Sequence, residues 1–206
     1  MSRDLYLYAE KRAGAGWELA EEPELHVETV FGMETGKRWY EPRTLYFESG
    51  RSWLFAVLAE PEQSPSPLGS FGPPRGLPLD MSPILRAHAE RRTDWSFRHS
   101  WLSAAELLAF DWYSRTVPVY GRARSEYVDL FDGRGPFPAG VPSGAWAWES
   151  HGSPEELRTP MEPGWAPVSW METRAEVVGT DFPDTVLPAL QAFGGPEDVR
   201  VVFWFS

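Results

Sequence analysis

The stretch SFRHSWLSAAELLAFDW, from Ser96 to Trp112, decides the fold that this sequence predicts. Residues 96–102 alternate in the manner of a β-strand. Ser103 and Glu106 follow at the spacing of a capping box, in which the serine oxygen and the glutamate each accept a backbone N–H at the helix start. The leucines and the phenylalanine around this cap form an apolar helical face. We therefore expect a strand that turns directly into a helix, and we expect this corner to nucleate the core.

Strands are predicted at both ends of the chain. Asp4 to Glu10 (DLYLYAE) alternates leucine with tyrosine, and Gly16 to Ala20 is predicted to return as its hairpin partner. Asp198 to Ser206 (DVRVVFWFS) is apolar on both faces, so it is expected at the centre of a sheet. Another alternating run, Pro167 to Val178, predicts a further strand. Because the termini of a domain often lie close together, we expect the first and last strands in one sheet.

Three further segments have helical patterns. Ser49 to Glu60 has the apolar spacing of a buried helical face. Ser82 to Arg92 begins with Ser-Pro, the residue types preferred at a helix start, but it is short and charged, so a surface position is expected. Asp181 to Phe193 is also predicted to be helical, with Pro188 indicating either a kink or a later start.

Glycine and proline mark the irregular regions. Pro61 to Pro78 is too rich in both for a regular element and is expected to form a long loop. Glu21 to Gly36 is acidic and irregular, which predicts a loop or a poorly formed edge strand. Val117 to Ser169 is expected to lack firm elements, apart from a helix around Ser125 to Phe131.

These elements together predict an α+β fold. Its centre is an antiparallel or mixed sheet that contains the N- and C-terminal strands, with helices mainly on one face and long Pro/Gly-rich loops. We expect a single domain over residues 1–206, with a loop-rich insertion at about 113–166.

The composition excludes several classes of function. The chain has 206 residues, a formal net charge of −11 and no cysteine, so it has no disulfide, thiolate metal site or cysteine nucleophile. A reducing, cytoplasmic setting is expected on this ground. We see neither a signal peptide nor an apolar run of membrane-spanning length, so no membrane is expected. The acidic balance argues against a nucleic-acid surface and permits a basic protein partner, a cationic substrate or simple solubility, which is the preferred interpretation.

The histidines give no metal-binding signature. His26, His88, His99 and His151 are far apart in sequence, and no two have the spacing of metal ligands. A site assembled in space from His88, Asp94 and His99 is conceivable, but structural, hydrogen-bonded histidines are the stronger interpretation. We expect no metal and no cofactor.

One candidate site for catalysis or ligand binding remains. His99 and Ser100 are adjacent on a predicted strand and therefore point to opposite faces, which argues against a catalytic dyad. His99 with Asp111 is the one pair left open, although a carboxylate also satisfies a purely structural histidine. Arg75 and Asp80 complete the candidate set, because they lie where the long loop ends.

Tryptophan is the most unusual component of the chain, with eleven residues. Most of the tryptophans are expected to pin long loops onto the core, and the alternative is a wide apolar groove for a partner. Trp146 and Trp148, which flank the loops, are the candidate partner-binding residues.

Three segments resemble a known family: DLYLYAEKR at 4–12, RGLPLD at 75–80 and HSWLSAAELLAFDW at 99–112. The family consists of uncharacterised proteins from bacteriophages and high-GC bacteria, which have a similar opening strand, a helix like Trp53–Ala59, an RGLP-type segment and a similar HS…ELL…DW run. Residues 113–166 have no counterpart in the resemblance. It implies no known activity, so it transfers no site residues to this chain.

Our first hypothesis is a non-enzymatic, acidic protein-interaction module. It would bind and neutralise or regulate another macromolecule, as immunity proteins and phage anti-defence proteins do. The alternative is a small-molecule-binding protein or a hydrolase with a site near Arg75, Asp80, His99 and Asp111. A third hypothesis, a DNA mimic, requires the acidic residues to form one contiguous face.

Overall fold

The computed structural model describes residues 4–30, 33–49, 52–59, 66–92, 97–150 and 162–206. The strands are β1 (Asp4–Ala13), β2 (Gly16–Leu19), β3 (Glu24–Val30), β4 (Met33–Glu41), β5 (Tyr46–Ser49), β6 (Phe97–Ser103), β7 (Thr116–Arg124), β8 (Trp146–Ser150), β9 (Trp165–Thr173) and β10 (Val199–Phe205). The α-helices are α1 (Ser52–Leu58), α2 (Pro83–Arg91), α3 (Ala104–Ala109), α4 (Arg174–Val178) and α5 (Asp181–Phe193). Among the described residues, no helix has the length and apolar character that crossing a membrane requires.

The main sheet has five strands and contains the first and the last strand, β1 and β10. β10 lies between β1 and β6 and is antiparallel to both. The other edge of β1 is shared by β2, which pairs with Glu10–Ala13, and by β5, which pairs with Asp4–Leu7. Every residue of β10 is buried, as its apolar sequence on both faces predicts. The expected α+β class, with an antiparallel sheet holding both terminal strands, is confirmed.

The two faces of this sheet are covered differently. On one face, residues such as Leu7 and Phe203 belong to the larger core, to which α1, α3, α4 and α5 all contribute. On the other face, Tyr8, Val202 and Trp204 pack with α2. As expected, α2 lies at the surface, with Ala87, Glu90 and Arg91 exposed, but Leu85, His88 and Ala89 are buried on the side that faces the sheet. Its many charged residues obscured this apolar side.

The strand-to-helix corner has the predicted geometry. Ser103 ends β6, and its Oγ accepts the N–H of Glu106, while the Glu106 carboxylate accepts the N–H of Ser103. A second capping box joins Thr173 and Glu176 at the start of α4. We expected a strand over Pro167 to Val178, and its second half is instead this helix. The alternation of polar and apolar residues concealed the helix start.

Residues 113–166 hold more regular structure than the sequence indicates. β7 lies between β8 and β9 in a three-stranded antiparallel sheet, and a 3-10 helix, Ser125–Leu130, follows β7. The expectation that Val117 to Ser169 lacks firm elements is therefore wrong for β7, β8 and β9, while the helix expected around Ser125 to Phe131 is present as this 3-10 helix. Pro118 and Gly121 disfavour a strand in sequence terms, but Gly121 is required: a Cβ there would lie 2.6 Å from the Ala147 carbonyl oxygen and 2.9 Å from the Trp170 ring.

The region Glu21 to Gly36 was also misjudged. β3 and β4 pair as an antiparallel hairpin, in which Leu25 is opposite Tyr40 and His26 is opposite Trp39. Its sequence is polar and acidic because the hairpin is largely exposed, so it lacks the apolar alternation of a buried strand. The described part of the long loop, residues 66–78, has no helix or strand, as expected, and residues 61–65 lie outside the described residues.

Candidate functional site

The candidate site is a groove of about 480 Å³ on the face of the main sheet that α2 covers. The β1–β2 hairpin, the ends of β6 and β10, and the segment that leads into α2 all contribute to it. Its lining residues are Arg12, Trp17, Arg75, Leu77, Pro78, Leu79, Asp80, Trp101, Ser103, Glu197 and Arg200.

Arginine and tryptophan side chains alternate across this groove. The guanidinium carbon of Arg200 lies 4.0 Å from the Trp17 ring centroid and 5.9 Å from that of Trp101. Arg12 lies 4.3 Å from the Trp17 ring, and Arg75 lies 5.2 Å from the Trp101 ring. We call these five residues the Arg-Trp ladder. Each stacked pair contributes about 0.5–2 kcal/mol, more where the cation is removed from water, so the ladder fixes the shape of the groove.

A buried ion pair forms the base of the ladder. Glu10 is 0% and Arg200 is 3% exposed, and the Arg200 Nε donates to the Glu10 Oε2 at 2.9 Å. The Glu10 Oε1 accepts the backbone N–H of Ser82 at 2.7 Å. A second Arg200 nitrogen donates to the Asp80 Oδ1 at 2.7 Å, and the Asp80 Oδ2 accepts the Trp17 indole N–H at 2.9 Å. Every charge in the group therefore has a hydrogen-bonded partner, which burial of an ion pair requires.

Asp80 is the exposed carboxylate of this group, and its hydrogen-bond partners change its pKa. The hydrogen bond from Arg200 lowers the pKa of Asp80, and the Trp17 indole contributes in the same direction. Asp80 is ionised at neutral pH, as its 59% exposed side chain and its lowered pKa both favour. It holds Trp17 against Arg200 and does not act as an acid.

The Arg75 side chain connects the groove to the strand-to-helix corner. Two of its nitrogens donate to the Glu106 carboxylate, at 3.0 and 2.5 Å, and its backbone N–H donates to the Ser100 Oγ. The hydrogen bond from Arg75 is the largest cause that lowers the pKa of Glu106, to about 2, and bonds from Ser103 add to it. The capping box of α3 is therefore also an anchor for the loop that forms one wall of the groove.

Leu79 is the exposed apolar residue of the groove. Its side chain is 97% exposed, while its neighbour Leu77 is half-buried. The turn that carries it is held in place by Arg86, whose guanidinium donates to the carbonyl oxygens of Pro78 and Leu79. An ordered turn therefore holds Leu79 in solvent, where the side chain is not stabilised by burial.

The four predicted site residues do not form one site. Arg75 and Asp80 both line the groove, as described above. The His99 ring lies 5.8 Å from the Trp204 ring, on the α2 side of the sheet. Asp111 lies beyond the opposite face, where its carboxylate accepts the N–H of Ser114 and its carbonyl oxygen accepts a hydrogen bond from the buried Arg174. The sheet therefore separates His99 from Asp111, and the pair left open by the sequence is not formed.

The predicted partner-binding tryptophans fall elsewhere. Trp146 is half-buried, and its ring packs 4.7 Å from that of Phe137 and 5.9 Å from that of Trp170, so it contributes to the packing of the small sheet. The side chain of Trp148 lies outside the described residues, as do Asp94 and His151.

The groove offers aromatic rings, guanidinium groups and carboxylates that can stack with, pair with or hydrogen-bond to a binding partner. Ser103 is the hydroxyl-bearing residue that lines it, and its oxygen is engaged in the helix cap. Within the described ranges, no three histidine, aspartate or glutamate side chains are clustered so that they could hold a metal ion. Sequence reasoning missed Glu10, Arg12, Trp17 and Arg200. The one available signal was Arg200, a single charge within an otherwise apolar strand.

Comparison with protein-family models, with curated proteins and with solved structures gave no match. The case for a function therefore depends on the geometry of the groove.

Proposed function

We propose that this protein is a non-enzymatic interaction module that binds and regulates another protein through the groove beside Leu79. The single observation that carries the proposal is the fully exposed leucine on an ordered turn next to the Arg-Trp ladder. The proposal includes a role of the immunity or anti-defence type, in which binding neutralises the partner.

The residue types in the groove are those that dominate protein interfaces. Tryptophan and arginine are enriched among the few interface residues that contribute most of the binding energy. Here Trp17, Trp101 and Arg12 line an open groove, and the ion pair below them keeps their side chains in place before any partner arrives. Side chains that are ordered in advance lose less conformational entropy on binding, which favours affinity.

The partner is expected to carry a positive net charge. The chain has a formal net charge of −11, so long-range electrostatics accelerate its encounter with a basic protein. Contact itself would bury an apolar side chain of the partner against Leu79 and the tryptophan rings.

The alternative is a small-molecule-binding protein that uses the same groove. The observation that favours it is the presence of Arg75 and Asp80 in one concave site of suitable volume. A hydrolase is less well supported, because the groove hydroxyl of Ser103 is engaged in the helix cap.

The test compares three tagged forms expressed in the native host: the wild type, Leu79→Asp, and the control Leu130→Asp, which changes a leucine of the 3-10 helix that is also exposed. We expect one basic protein to co-purify with the wild type and the control and to be lost with Leu79→Asp. Equal recovery of the same proteins with all three forms would contradict the proposal.

A further inference from the structure

A second cavity, of about 530 Å³, lies near the C-terminal end of α2. β1, the segment after β2 and the β3–β4 hairpin supply its walls together with Arg92. Its lining residues are Tyr6, Tyr8, Glu21, Glu24, His26, Glu41, Pro42, Arg43, Thr44 and Arg92. This cavity shares no lining residue with the groove.

Three side chains at this cavity form a connected chain. The Tyr8 Oη lies 3.0 Å from the His88 Nε2, and the His88 Nδ1 lies 3.6 Å from the Glu41 Oε1. Burial lowers the pKa of His88 to about 4, so its ring is neutral at pH 7. With the ring proton on Nδ1, facing the carboxylate, Nε2 accepts the proton of Tyr8. The Tyr8 hydroxyl also has a hydrogen bond with the Thr44 side chain, so this chain of side chains extends to the wall of the cavity.

Among the described residues, the contacts of the Glu41 carboxylate are long, including the hydrogen bond that it accepts from Arg92. The nearest nitrogens of His26 and Arg92 both lie at 3.4 Å, and that of His88 lies at 3.6 Å. Charge-assisted hydrogen bonds are normally about 2.7–2.9 Å long. Glu41 therefore retains the capacity to accept a short bond from a ligand.

The remaining charges leave a negative excess. Arg43 is paired with Glu24 at 3.1 Å, and Arg92 is the nearest cation to Glu41. Glu21 is half-buried and has no ion-pair partner among the described residues. The cavity thus offers one more carboxylate than guanidinium group.

An aromatic wall completes the cavity. The Arg92 guanidinium carbon lies 5.3 Å from the Tyr6 ring centroid, so this ring already has a cation near its face. From these features we propose that the cavity binds an organic cation, with Glu21 and Glu41 accepting its N–H groups and Tyr6 as the aromatic surface. The cation is an ammonium or guanidinium group, carried either by a free small molecule or by a basic side chain of a protein. The proposal is independent of the groove.

The experiment titrates butylguanidinium into ¹⁵N-labelled protein, with butylurea as the neutral molecule of the same shape. We expect saturable shifts of the amide signals around Glu21, Tyr8 and Glu41 with butylguanidinium and none with butylurea. Glu21→Gln should weaken binding about tenfold, because a charge-assisted bond is lost. Glu126→Gln, which changes an exposed glutamate of the 3-10 helix, is the matched control and should bind as the wild type does.

A second arm distinguishes the two sources of the cation. A Gly-Arg-Gly peptide that binds more tightly than butylguanidinium indicates a protein side chain, and weaker binding of the peptide indicates a free small molecule. The proposal is overturned if neither cation gives saturable shifts at the cavity, if butylurea binds equally well, or if Glu21→Gln and Glu126→Gln bind alike.

Discussion

Glu10 and Arg200 are direct partners in the β1–β10 register, and their side chains form a buried ion pair in which Nε and Oε2 are 2.9 Å apart. This pair places a guanidinium between the Trp17 and Trp101 rings. The pairing of β1 with β10 thus also determines the shape of the groove above these strands.

Removing one member of this pair should be far more costly than removing both. Arg200→Met leaves the Glu10 carboxylate buried without its cation, so we expect a loss of about 3–5 kcal/mol in the free energy of unfolding. The double variant Glu10→Met/Arg200→Met should be clearly more stable than the sum of the two single losses implies. Urea unfolding of all four proteins measures the coupling. Additive losses would show that the pair contributes no coupling.

Substitution of Leu79 should weaken partner binding without lowering the stability of the fold. Its side chain is 97% exposed, so Leu79→Ser should change the free energy of unfolding by less than about 0.5 kcal/mol. The same substitution should weaken partner binding at least about tenfold, as expected for a central interface residue. Thermal unfolding and a binding titration with the co-purified partner measure the two effects. A variant that loses stability instead of affinity would identify Leu79 as a structural residue.

Acid should destabilise the protein partly through His88. Burial lowers its pKa from 6.5 to about 4 in the folded protein, so between these values the unfolded chain binds a proton that the folded chain does not. The contribution of the neutral His88 ring to the free energy of unfolding is therefore complete above pH 6.5. It decreases by about 1–3 kcal/mol as the pH falls towards 4. The Arg92 charge adds to this effect and Glu41 opposes it.

The variant His88→Gln keeps a hydrogen-bonding group beside Tyr8 and removes this titration. Its free energy of unfolding should depend less steeply on pH between 6.5 and 4 than that of the wild type. His26→Gln is the comparison variant, because the His26 side chain is 41% exposed whereas that of His88 is 2% exposed. Parallel curves for the wild type and His88→Gln would contradict the assignment.

Gly121 should be intolerant of a side chain. A Cβ at this position would lie 2.6 Å from the Ala147 carbonyl oxygen, so we expect Gly121→Ala to cost about 1–3 kcal/mol by forcing β7 and β8 apart. Gly16→Ala is the matched control, since a Cβ there meets nothing within 4 Å. Chemical unfolding of both variants tests this, and equal stabilities would show that the small sheet adjusts without cost.

Local patterns in the sequence were sufficient for β1, β2, β6 and β10 of the main sheet and for the corner between β6 and α3, whereas β5 was not predicted. The capping box of Ser103 and Glu106 is formed by residues three apart, so it can be recognised without a structure. β10 is apolar on both faces apart from Arg200, which identifies a central strand. By contrast, β3, β4, β7 and β8 carry polar residues, proline or glycine, and their pairing partners give them order that their own sequences do not indicate.

The groove could not be predicted because strand register assembles it. Arg12 is opposite Trp17 across a short hairpin, whereas Glu10 meets Arg200 from the other end of the chain. Arg75 and Asp80 both line the groove, but His99 and Asp111 are divided by the sheet, and their closeness in sequence was misleading.

The most direct test of the groove as a protein-binding surface is site-specific photo-crosslinking in the native host. A benzophenone amino acid replaces Leu79 in one form and Leu130 in the other, and both forms are irradiated in intact cells. We expect a single discrete adduct with a different, basic protein at position 79 and none at position 130. The absence of any adduct at position 79, an adduct with a second copy of this chain, or the same adduct from both positions would contradict the account.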